Sequence, residues 1–244
     1  MAGRNTEHLR RIIPSAIRFD IENKFSNLES KLPNTFPSKT KFEKECRKLG
    51  ITNDSQLVVY DNLGVHTSLR VWWMFKTMGH DNIKVLNGGL PEWTRKGFIT
   101  EIEKINDFKK GSFQAQLKLL NTKSYRDILN TVGSKDKIVV DARSKGCFDG
   151  TQNEPRKSLQ SGHIPNSINF PFEDVLKNGK FKSLEALKYI FRNKIVSNRD
   201  LIFSCGSGIT ACIVLLACDL VMPNKKSLYD GSWTEWATNQ KLFV

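Results

Sequence analysis

The sequence lacks several features that would assign it to a class at once. No apolar run approaches the roughly 18 residues that a membrane-spanning helix needs, so we predict no transmembrane segment. The five cysteines are odd in number and contain no Cys-x-x-Cys pair, which argues against a disulfide framework or a cysteine-rich zinc site and favours reduced thiols. The net charge is +13 without a dense Lys/Arg tract, so we expect a small anionic partner or general solubility, with no nucleic-acid surface.

The chain does contain an internal repeat. The matching segments are residues 51–61 with 195–205, 87–93 with 230–236, and 13–19 with 164–170. Three matches in the same order indicate a duplication. Since a domain typically has about 100 to 200 residues, we predict two domains, residues 1–100 and 122–244, joined by a charged linker at 101–121.

Each copy has the pattern of alternating strands and helices. Short apolar runs at residues 57–60 and 201–203 follow polar turns and predict β-strands. Each run leads through a glycine-bearing loop into apolar residues at helical spacing, at 71–78 and 211–218, and the second helix is apolar on nearly every face. The alternation predicts an α/β protein in which each domain is a mainly parallel sheet covered by helices on both faces.

The second copy opens with a strand that the first copy lacks. Residues 137–143 read Lys-Ile-Val-Val-Asp-Ala-Arg, an apolar strand that ends in a turn, and their counterpart would fall before Met1. We therefore expect the first domain to lack one strand, through either a truncated reading frame or a degraded domain. The arginines at positions 4, 10, 11 and 18 weakly resemble a transit peptide, but the repeat makes this segment part of the fold.

Cys205 stands where the second predicted strand ends and begins the loop Cys-Gly-Ser-Gly-Ile-Thr before the buried helix. Ligands of open parallel sheets bind at such strand ends. The two glycines allow successive backbone N–H groups to point at one centre, and the helix N-terminus adds the positive end of its dipole. We therefore predict a reactive, nucleophilic thiol at Cys205. The alternative, a small buried hydrophobic residue, is our interpretation of Cys212 and Cys218.

A cysteine-dependent phosphatase would end the loop in an arginine that binds phosphate, whereas Thr210 and Ala211 stand here. Phosphatase chemistry is therefore disfavoured.

The Cys205 loop and four further segments together carry a resemblance to a known family. The loop resembles the tandem rhodanese-domain sulfurtransferases, and the match extends over nearly the whole chain. The other segments that carry it are Tyr-Asp-Gly-Ser-Trp-Thr-Glu-Trp at 229–236, Gly-His-Ile-Pro at 162–165, Arg-Val-Trp-Trp-Met-Phe at 70–75 and Val-Leu-Asn-Gly-Gly-Leu at 85–90. Gly-Ser after the cysteine is similar to the 3-mercaptopyruvate branch, since the thiosulfate branch carries basic residues there.

The resemblance implies a reaction and a set of site residues. Cys205 would take sulfane sulfur from 3-mercaptopyruvate or thiosulfate as a persulfide and pass it to a thiol, a thioredoxin-like protein or cyanide, without a metal or an organic cofactor. The sulfur anion would be held by loop amides as an oxyanion is held in its hole. The loop residues concerned are Gly206, Ser207, Gly208, Ile209 and Thr210. The first domain has Asp61 in place of Cys205 and is predicted to be non-catalytic.

The chain departs from the family pattern in the substrate pocket. Of two arginines that bind the substrate carboxylate in the mercaptopyruvate branch, the alignment places Arg156 on the second but Cys147 on the first. Arg143 either compensates as a substrate ligand or packs structurally near a strand end. Cys147 is either drift at a position no longer needed or a resolving thiol for Cys205.

The family's proposed proton relay is also incomplete here. Asp20 and Ser207 match its Asp and Ser, but its His position falls near Ser30, and Ile12 replaces the His of the first His-Ile-Pro motif. We therefore predict slow turnover on mercaptopyruvate. His163 is expected to be structural, and the tryptophans at positions 93, 233 and 236 are expected to be packing residues.

Three functions follow from these observations. The first is a sulfurtransferase of the mercaptopyruvate type, cytoplasmic or mitochondrial, with a small anionic sulfur donor and a thiol or thioredoxin-like acceptor. The second is a relay that passes sulfur from one protein to another, which would explain the loss of pocket residues beside an intact Cys205 loop. The third is a degenerate interaction protein without catalysis.

Overall fold

The structure is a computed structural model that describes residues 11–103, 108–195 and 198–240. Positions 1–10, with Arg4 and Arg10 of the basic N-terminal segment, and positions 241–244 lie outside the described residues. The helices are α1 (Lys39–Lys48), α2 (Ser68–Thr77), α3 (Gly89–Arg95), α4 (Tyr125–Leu129), α5 (Lys145–Asp149), α6 (Leu184–Lys194), α7 (Ala211–Asp219) and α8 (Ser232–Gln240). The strands are β1 (Arg11–Ile12), β2 (Leu57–Val59), β3 (Ile83–Val85), β4 (Glu101–Ile102), β5 (Thr122–Lys123), β6 (Lys137–Asp141), β7 (Ile168–Asn169), β8 (Leu176–Lys177), β9 (Lys180–Phe181), β10 (Asp200–Ser204) and β11 (Lys226–Tyr229).

The second half of the chain contains a five-stranded sheet with the order β5-β11-β10-β6-β7. All four neighbouring pairs are parallel. Both faces of the central strand are buried, because Leu201 and Phe203 pack into one apolar cluster and Ile202 into the other. The strand is therefore a continuous apolar run, as expected for a parallel sheet covered on both faces. The predicted fold class is confirmed.

Helix α7 forms much of the cover on one face of this sheet. Its residues are buried on nearly every side, as its composition predicts, and it packs against α2 of the first half of the chain. This contact merges the apolar residues of both halves into one cluster. The opposite face of the sheet is covered by α4 and α8 through Ile128, Trp233 and Trp236. Within the described ranges no helix is long and apolar enough to cross a membrane.

The first half of the chain has a smaller parallel sheet. Within the described part of the chain, strand β2 pairs with β3 only, whereas its repeat counterpart β10 is paired on both sides. A groove of about 660 Å³ lies along the unpaired side of β2, and Val58 there is 63% exposed. The far wall includes Ile17 and Arg18, the repeat counterparts of β7. Among the described residues the first domain thus lacks the strand equivalent to β6, as predicted.

The segment predicted to be a linker contacts the first domain at several points. Strand β4, at its start, pairs antiparallel with β1. Further along, the N–H of Phe113 donates to the Ile51 carbonyl at 3.1 Å, and the Phe113 ring is fully buried against α1 and α2. The N–H of Lys118 donates to the Thr77 carbonyl at 2.8 Å. These contacts attach the described parts of the segment to the first domain, and Phe113 and Ala115 are buried in the apolar cluster. The predicted domain bounds stay a prediction.

Candidate active site at Cys205

Cys205 directly follows β10, at the carboxyl edge of the five-stranded sheet. Its N–H donates to the Ser232 hydroxyl at 3.2 Å, and this hydroxyl donates to the Tyr229 carbonyl at 2.9 Å. Neighbouring strand ends therefore fix the cysteine backbone at the edge where parallel sheets bind ligands. The side chain is 2% exposed.

The loop after Cys205 turns its first carbonyls outward. The N–H of Trp233, at the start of α8, donates to the Cys205 carbonyl at 2.9 Å. The N–H and hydroxyl of Thr234 donate to the Gly206 carbonyl at 3.1 and 2.6 Å. Because the C=O and N–H of a trans peptide point in opposite directions, the N–H groups of Gly206 and Ser207 face away from α8.

One loop amide contacts the sulfur itself. The N–H of Gly208 donates to Cys205 Sγ at 3.2 Å. Gly208 has a φ of +78°, a conformation that favours glycine and gives the loop its curl. The N–H groups of Gly206, Ser207, Ile209 and Thr210 have no acceptor within the described parts of the chain, so they are available to an anion at the sulfur.

The corresponding loop of the first domain holds a carboxylate. Asp61 stands at the repeat position of Cys205, and its carboxylate accepts from the N–H groups of Leu63, His66 and Ser68 at 2.9, 2.8 and 3.2 Å. The Ser68 hydroxyl adds a fourth bond at 2.8 Å. A loop of this build therefore gathers backbone N–H groups around one negative charge. In the first domain that charge is the chain's own carboxylate.

Arg156 is brought to the Cys205 loop, as predicted. Its Nη1 lies 3.2 Å from the point where a Cβ on Gly206 would stand, so the guanidinium covers the first loop glycine. The side chain is half-buried. No hydrogen bond or ion pair engages its guanidinium among the residues that the structure describes. An arginine without a described partner therefore lies at the first loop glycine, and its role in binding an anionic donor stays a prediction.

Arg143 is engaged differently, and its contacts favour the structural alternative. Its Nη2 binds Asp141 Oδ2 at 2.6 Å and the Gly162 carbonyl at 2.7 Å, and its Nη1 binds Glu154 Oε1 at 2.5 Å. The guanidinium also lies 4.3 Å from the Trp233 ring centroid. Burial opposes the charge, but the two carboxylates hold the pKa of Arg143 above its usual value. Little of this guanidinium remains for a substrate.

The relay residues are only partly brought together. The Ser207 hydroxyl accepts from Asn34 Nδ2 at 3.0 Å. Asp20 instead accepts from the N–H and the side-chain amide of Asn23, at 3.0 and 3.1 Å, and lines the groove beside β2. Ser30 accepts from the Leu32 N–H at 3.1 Å. A direct role of Asp20 in the reaction therefore stays a prediction, and the described contacts give Ser207 a partner that sequence comparison did not indicate.

Two further residues near the site were also absent from the sequence-based site. Arg70 in α2 is 1% exposed, and its Nη2 binds Asp230 Oδ1 at 2.5 Å. Burial opposes the charge, but the Asp230 carboxylate holds the pKa of Arg70 above its usual value. The available signal was an arginine directly before the apolar run at residues 71–75, because a buried charge requires a partner.

The remaining candidates have local contacts. The His163 Nδ1 binds the Phe148 carbonyl at 3.0 Å, and the ring stacks on Phe148 with centroids 4.1 Å apart, as a structural histidine would. Cys147 is buried, with Sγ 3.9 Å from the Asn153 carbonyl. Burial raises the pKa of Cys212 and of Cys218 to about 12, which agrees with inert core thiols.

A parallel α/β sheet that carries a cysteine at a strand end, with the Gly208 N–H on its sulfur, is typical of enzymes that use a sulfur nucleophile. The chain matches the family model described as a rhodanese-like domain at residues 4–96 and 122–239. It is 38% identical over 234 residues to 3-mercaptopyruvate sulfurtransferase of Mus musculus and 41% identical over 235 residues to thiosulfate sulfurtransferase of the same organism. Each match covers 94% of this chain and 78% of the relative.

A solved structure agrees with these relatives. The 3-mercaptopyruvate sulfotransferase SseA from Escherichia coli has a TM-score of 0.82 and 33% identity, over 96% of this chain and 90% of that one. The chain therefore belongs to the rhodanese-like sulfurtransferase family, and it is an enzyme of sulfur transfer. Its partners are in general terms a sulfur donor and a thiol acceptor.

Proposed function

We propose that Cys205 accepts a sulfur atom from 3-mercaptopyruvate, or from thiosulfate, holds it as the sulfane sulfur of a persulfide and passes it to a thiol, a thioredoxin-like acceptor or cyanide. The observation that carries this proposal is the 3.2 Å contact from the Gly208 N–H to Cys205 Sγ. Asp61 supports it, because the same loop position in the first domain holds a full negative charge on backbone N–H groups. The catalytic domain would be residues 122–244 and the non-catalytic one residues 1–100.

The first step moves one sulfur atom. The Cys205 thiolate attacks the thiol sulfur of mercaptopyruvate and forms an S–S bond, while the C–S bond breaks and its electron pair leaves on the pyruvate enolate. A proton completes pyruvate, and Ser207, a water or the substrate itself supplies it. The transferred sulfur is oxidised from the thiol to the sulfane level, and the pyruvate carbon is reduced by the same two electrons.

The second step returns the enzyme to its starting state. An acceptor thiolate attacks the outer persulfide sulfur, the S–S bond breaks, and Cys205 leaves as a thiolate. With cyanide the product is thiocyanate. In both steps the leaving or attacking sulfur at Cys205 is anionic, so the loop amides of residues 206–210 would stabilise it throughout.

Arg156 supports a carboxylate-bearing donor. Its unpaired guanidinium lies over Gly206, one residue from the sulfur. A planar guanidinium binds a carboxylate through two parallel N–H bonds, so Arg156 would orient mercaptopyruvate with its thiol towards Cys205. Binding of the substrate carboxylate would depend on Arg156, since Cys147 stands where the mercaptopyruvate branch has its other arginine. Turnover on mercaptopyruvate is therefore expected to be slow.

Burial separates this proposal from the protein-to-protein relay. Cys205 is 2% exposed, so a small donor reaches it with less rearrangement than a second protein. We keep the relay as the alternative, because the pocket has lost a family arginine. The compartment, cytoplasmic or mitochondrial, is part of the proposal.

Loading of sulfur onto the cysteine tests the proposal directly. The purified chain is incubated with mercaptopyruvate, with thiosulfate, or with a persulfidated desulfurase, and the Cys205 peptide is examined by mass spectrometry while cyanide-labile sulfur is measured. We expect the mass of one added sulfur atom from mercaptopyruvate. Cys205→Ser should abolish loading, and Cys147→Ser is the matched control that should keep it.

The other outcomes are equally decisive. Loading from the protein donor alone would replace the small-donor proposal by the relay. Loading from no donor, or loading that persists in Cys205→Ser, would overturn the role of Cys205.

A further inference from the structure

Arg70 belongs to the first domain but contacts the sulfur-binding loop of the second. Its Nη1 donates to the Gly208 carbonyl at 3.4 Å, and its Nη2 donates to the Asn34 carbonyl at 2.7 Å. Asn34 in turn donates from Nδ2 to the Ser207 hydroxyl at 3.0 Å. One buried guanidinium therefore holds the loop directly at Gly208 and indirectly at Ser207.

The contact with Gly208 has a consequence for the loop amides. Its carbonyl accepts from Arg70 Nη1 and from Cys212 Sγ, each at 3.4 Å. Because the peptide is planar and trans, the N–H of Ile209 points away from both of them. Holding this carbonyl thus fixes an amide of the loop in the same way that α8 fixes those of Gly206 and Ser207.

Arg70 also carries a positive charge, which would stabilise a thiolate at Cys205. Its positive charge and the Cys205 thiolate attract each other. Asp230 opposes this effect, since it is paired with Arg70 at 2.5 Å and is itself held by the Phe36 N–H at 2.8 Å. Among the described residues, Arg156 and Cys212 are the other charged or titratable groups in contact with the loop.

We propose that Arg70 is a positioning residue for sulfur transfer: it fixes Gly208 and Asn34 against the loop and, together with Asp230, sets the electrostatic potential at Cys205. This inference rests on the proposed function of Cys205. It also gives the first domain a part in the reaction although that domain carries Asp61 at its own loop.

Two substitutions of opposite charge test it. The rate of Cys205 alkylation by iodoacetamide is measured against pH in Arg70→Met and Asp230→Asn. Arg70→Met removes a positive charge and should move the midpoint of the profile upward by about one pH unit, whereas Asp230→Asn unmasks that charge and should move it downward. A merely structural role would loosen the loop in both variants and shift both midpoints in the same direction.

A conservative variant separates charge from geometry. Arg70→Lys keeps the charge but loses the planar fork that reaches Gly208, Asn34 and Asp230 together. We expect its alkylation midpoint to stay near that of the unchanged protein, while kcat for sulfur transfer falls about tenfold. Arg95→Met, which breaks an exposed ion pair with Glu92 in the same domain, is the control and should change neither.

The outcomes distinguish this inference from the proposed function. If the unchanged protein loads sulfur but Arg70→Met and Asp230→Asn shift together or not at all, the inference about Arg70 is overturned. If the unchanged protein loads no sulfur, the proposed function fails, and the alkylation profiles still decide the electrostatic part. Thermal unfolding verifies that each variant folds, and if Arg70→Met does not, Arg70→Lys and Asp230→Asn carry the test.

Discussion

Arginines near Cys205 differ in what already engages their charge. Arg156 has no partner among the described residues, Arg143 is paired with Asp141 and Glu154, and Arg70 is paired with Asp230 across the two domains. A guanidinium without an internal partner can bind substrate, whereas a buried pair mainly keeps its partner carboxylate satisfied. We therefore expect Arg156 to bind substrate, Arg143 to stabilise the fold and Arg70 to position the loop, and each role has a different measurable consequence.

Arg156→Ala should weaken capture of mercaptopyruvate. A hydrogen bond to a charged group contributes about 1.5 to 3 kcal/mol, so we expect KM to rise about tenfold or more with the melting temperature unchanged. Pyruvate release at varied substrate concentration measures the effect. Lys157→Ala, an exposed neighbouring cation, is the control. An unchanged KM in Arg156→Ala would exclude this arginine as the carboxylate ligand.

Arg143→Met should destabilise the fold. It leaves the buried carboxylates of Asp141 and Glu154 without their cation, which typically costs about 3 to 5 kcal/mol. Urea unfolding measures the loss. Lys145→Met breaks an exposed pair with Asp149 and should change the free energy of unfolding by less than about 1 kcal/mol. Full stability together with lost mercaptopyruvate binding would instead assign Arg143 to the substrate.

At the scale of secondary-structure elements, the first residues of α8 hold the backbone of the Cys205 loop in place. Trp233 and Thr234 hold the carbonyls of Cys205 and Gly206, and Ser232 holds the Cys205 N–H. The helix thus orients loop amides through their carbonyls. Arg70 on α2 has the equivalent effect at Gly208, so two helices from different domains act on one six-residue loop.

Thr234→Val tests the part played by α8. It removes the 2.6 Å bond from the hydroxyl to the Gly206 carbonyl while it keeps the side-chain shape. We expect a loss of about 1 kcal/mol in stability and a several-fold slower loading of Cys205. Thr238→Val, which removes a comparable hydroxyl bond to the Thr234 carbonyl on the same helix, should leave loading unchanged. Equal loading rates in the two variants would contradict this role.

At the scale of the whole molecule, the packing of α2 against α7 makes one apolar cluster from both halves. Cys212 and Cys218 lie inside it, and burial raises the pKa of each from 9.0 to about 12. Folding therefore keeps both thiols protonated at pH values where the unfolded chain ionises them. Their contribution to stability is complete below pH 9 and is lost as the pH rises towards 12.

The free energy of unfolding should accordingly fall steeply in alkaline solution. Each of the two thiols removes up to about 1.4 kcal/mol per pH unit above its unfolded pKa. Urea unfolding between pH 8 and pH 11, as a rough working range, measures the slope. Cys218→Ala should reduce it, because one of the two thiols is then missing. An equal slope in the variant would show that other groups dominate.

The sequence by itself determined the duplicated α/β fold, the strand absent from the first copy and the cysteine loop at a strand end. Each of these depends on neighbouring residues, through apolar periodicity, the placement of glycines or self-similarity. Arg156 was predicted from the resemblance to the sulfurtransferase family, by alignment with that family's pattern. Patterns of this kind can be recognised without knowing which distant segments of the chain are in contact.

Only the tertiary structure decided which side chains share the loop. Asn34 and Ser207 are far apart in sequence, yet the Asn34 Nδ2 lies 3.0 Å from the Ser207 hydroxyl oxygen. Arg70 and Asp230 form an ion pair across the two domains. It also showed that Arg143 is engaged by Asp141 and that Phe113 belongs to the first core. Side-chain contacts of this kind depend on the three-dimensional packing of the chain, and they leave no periodic pattern in the sequence.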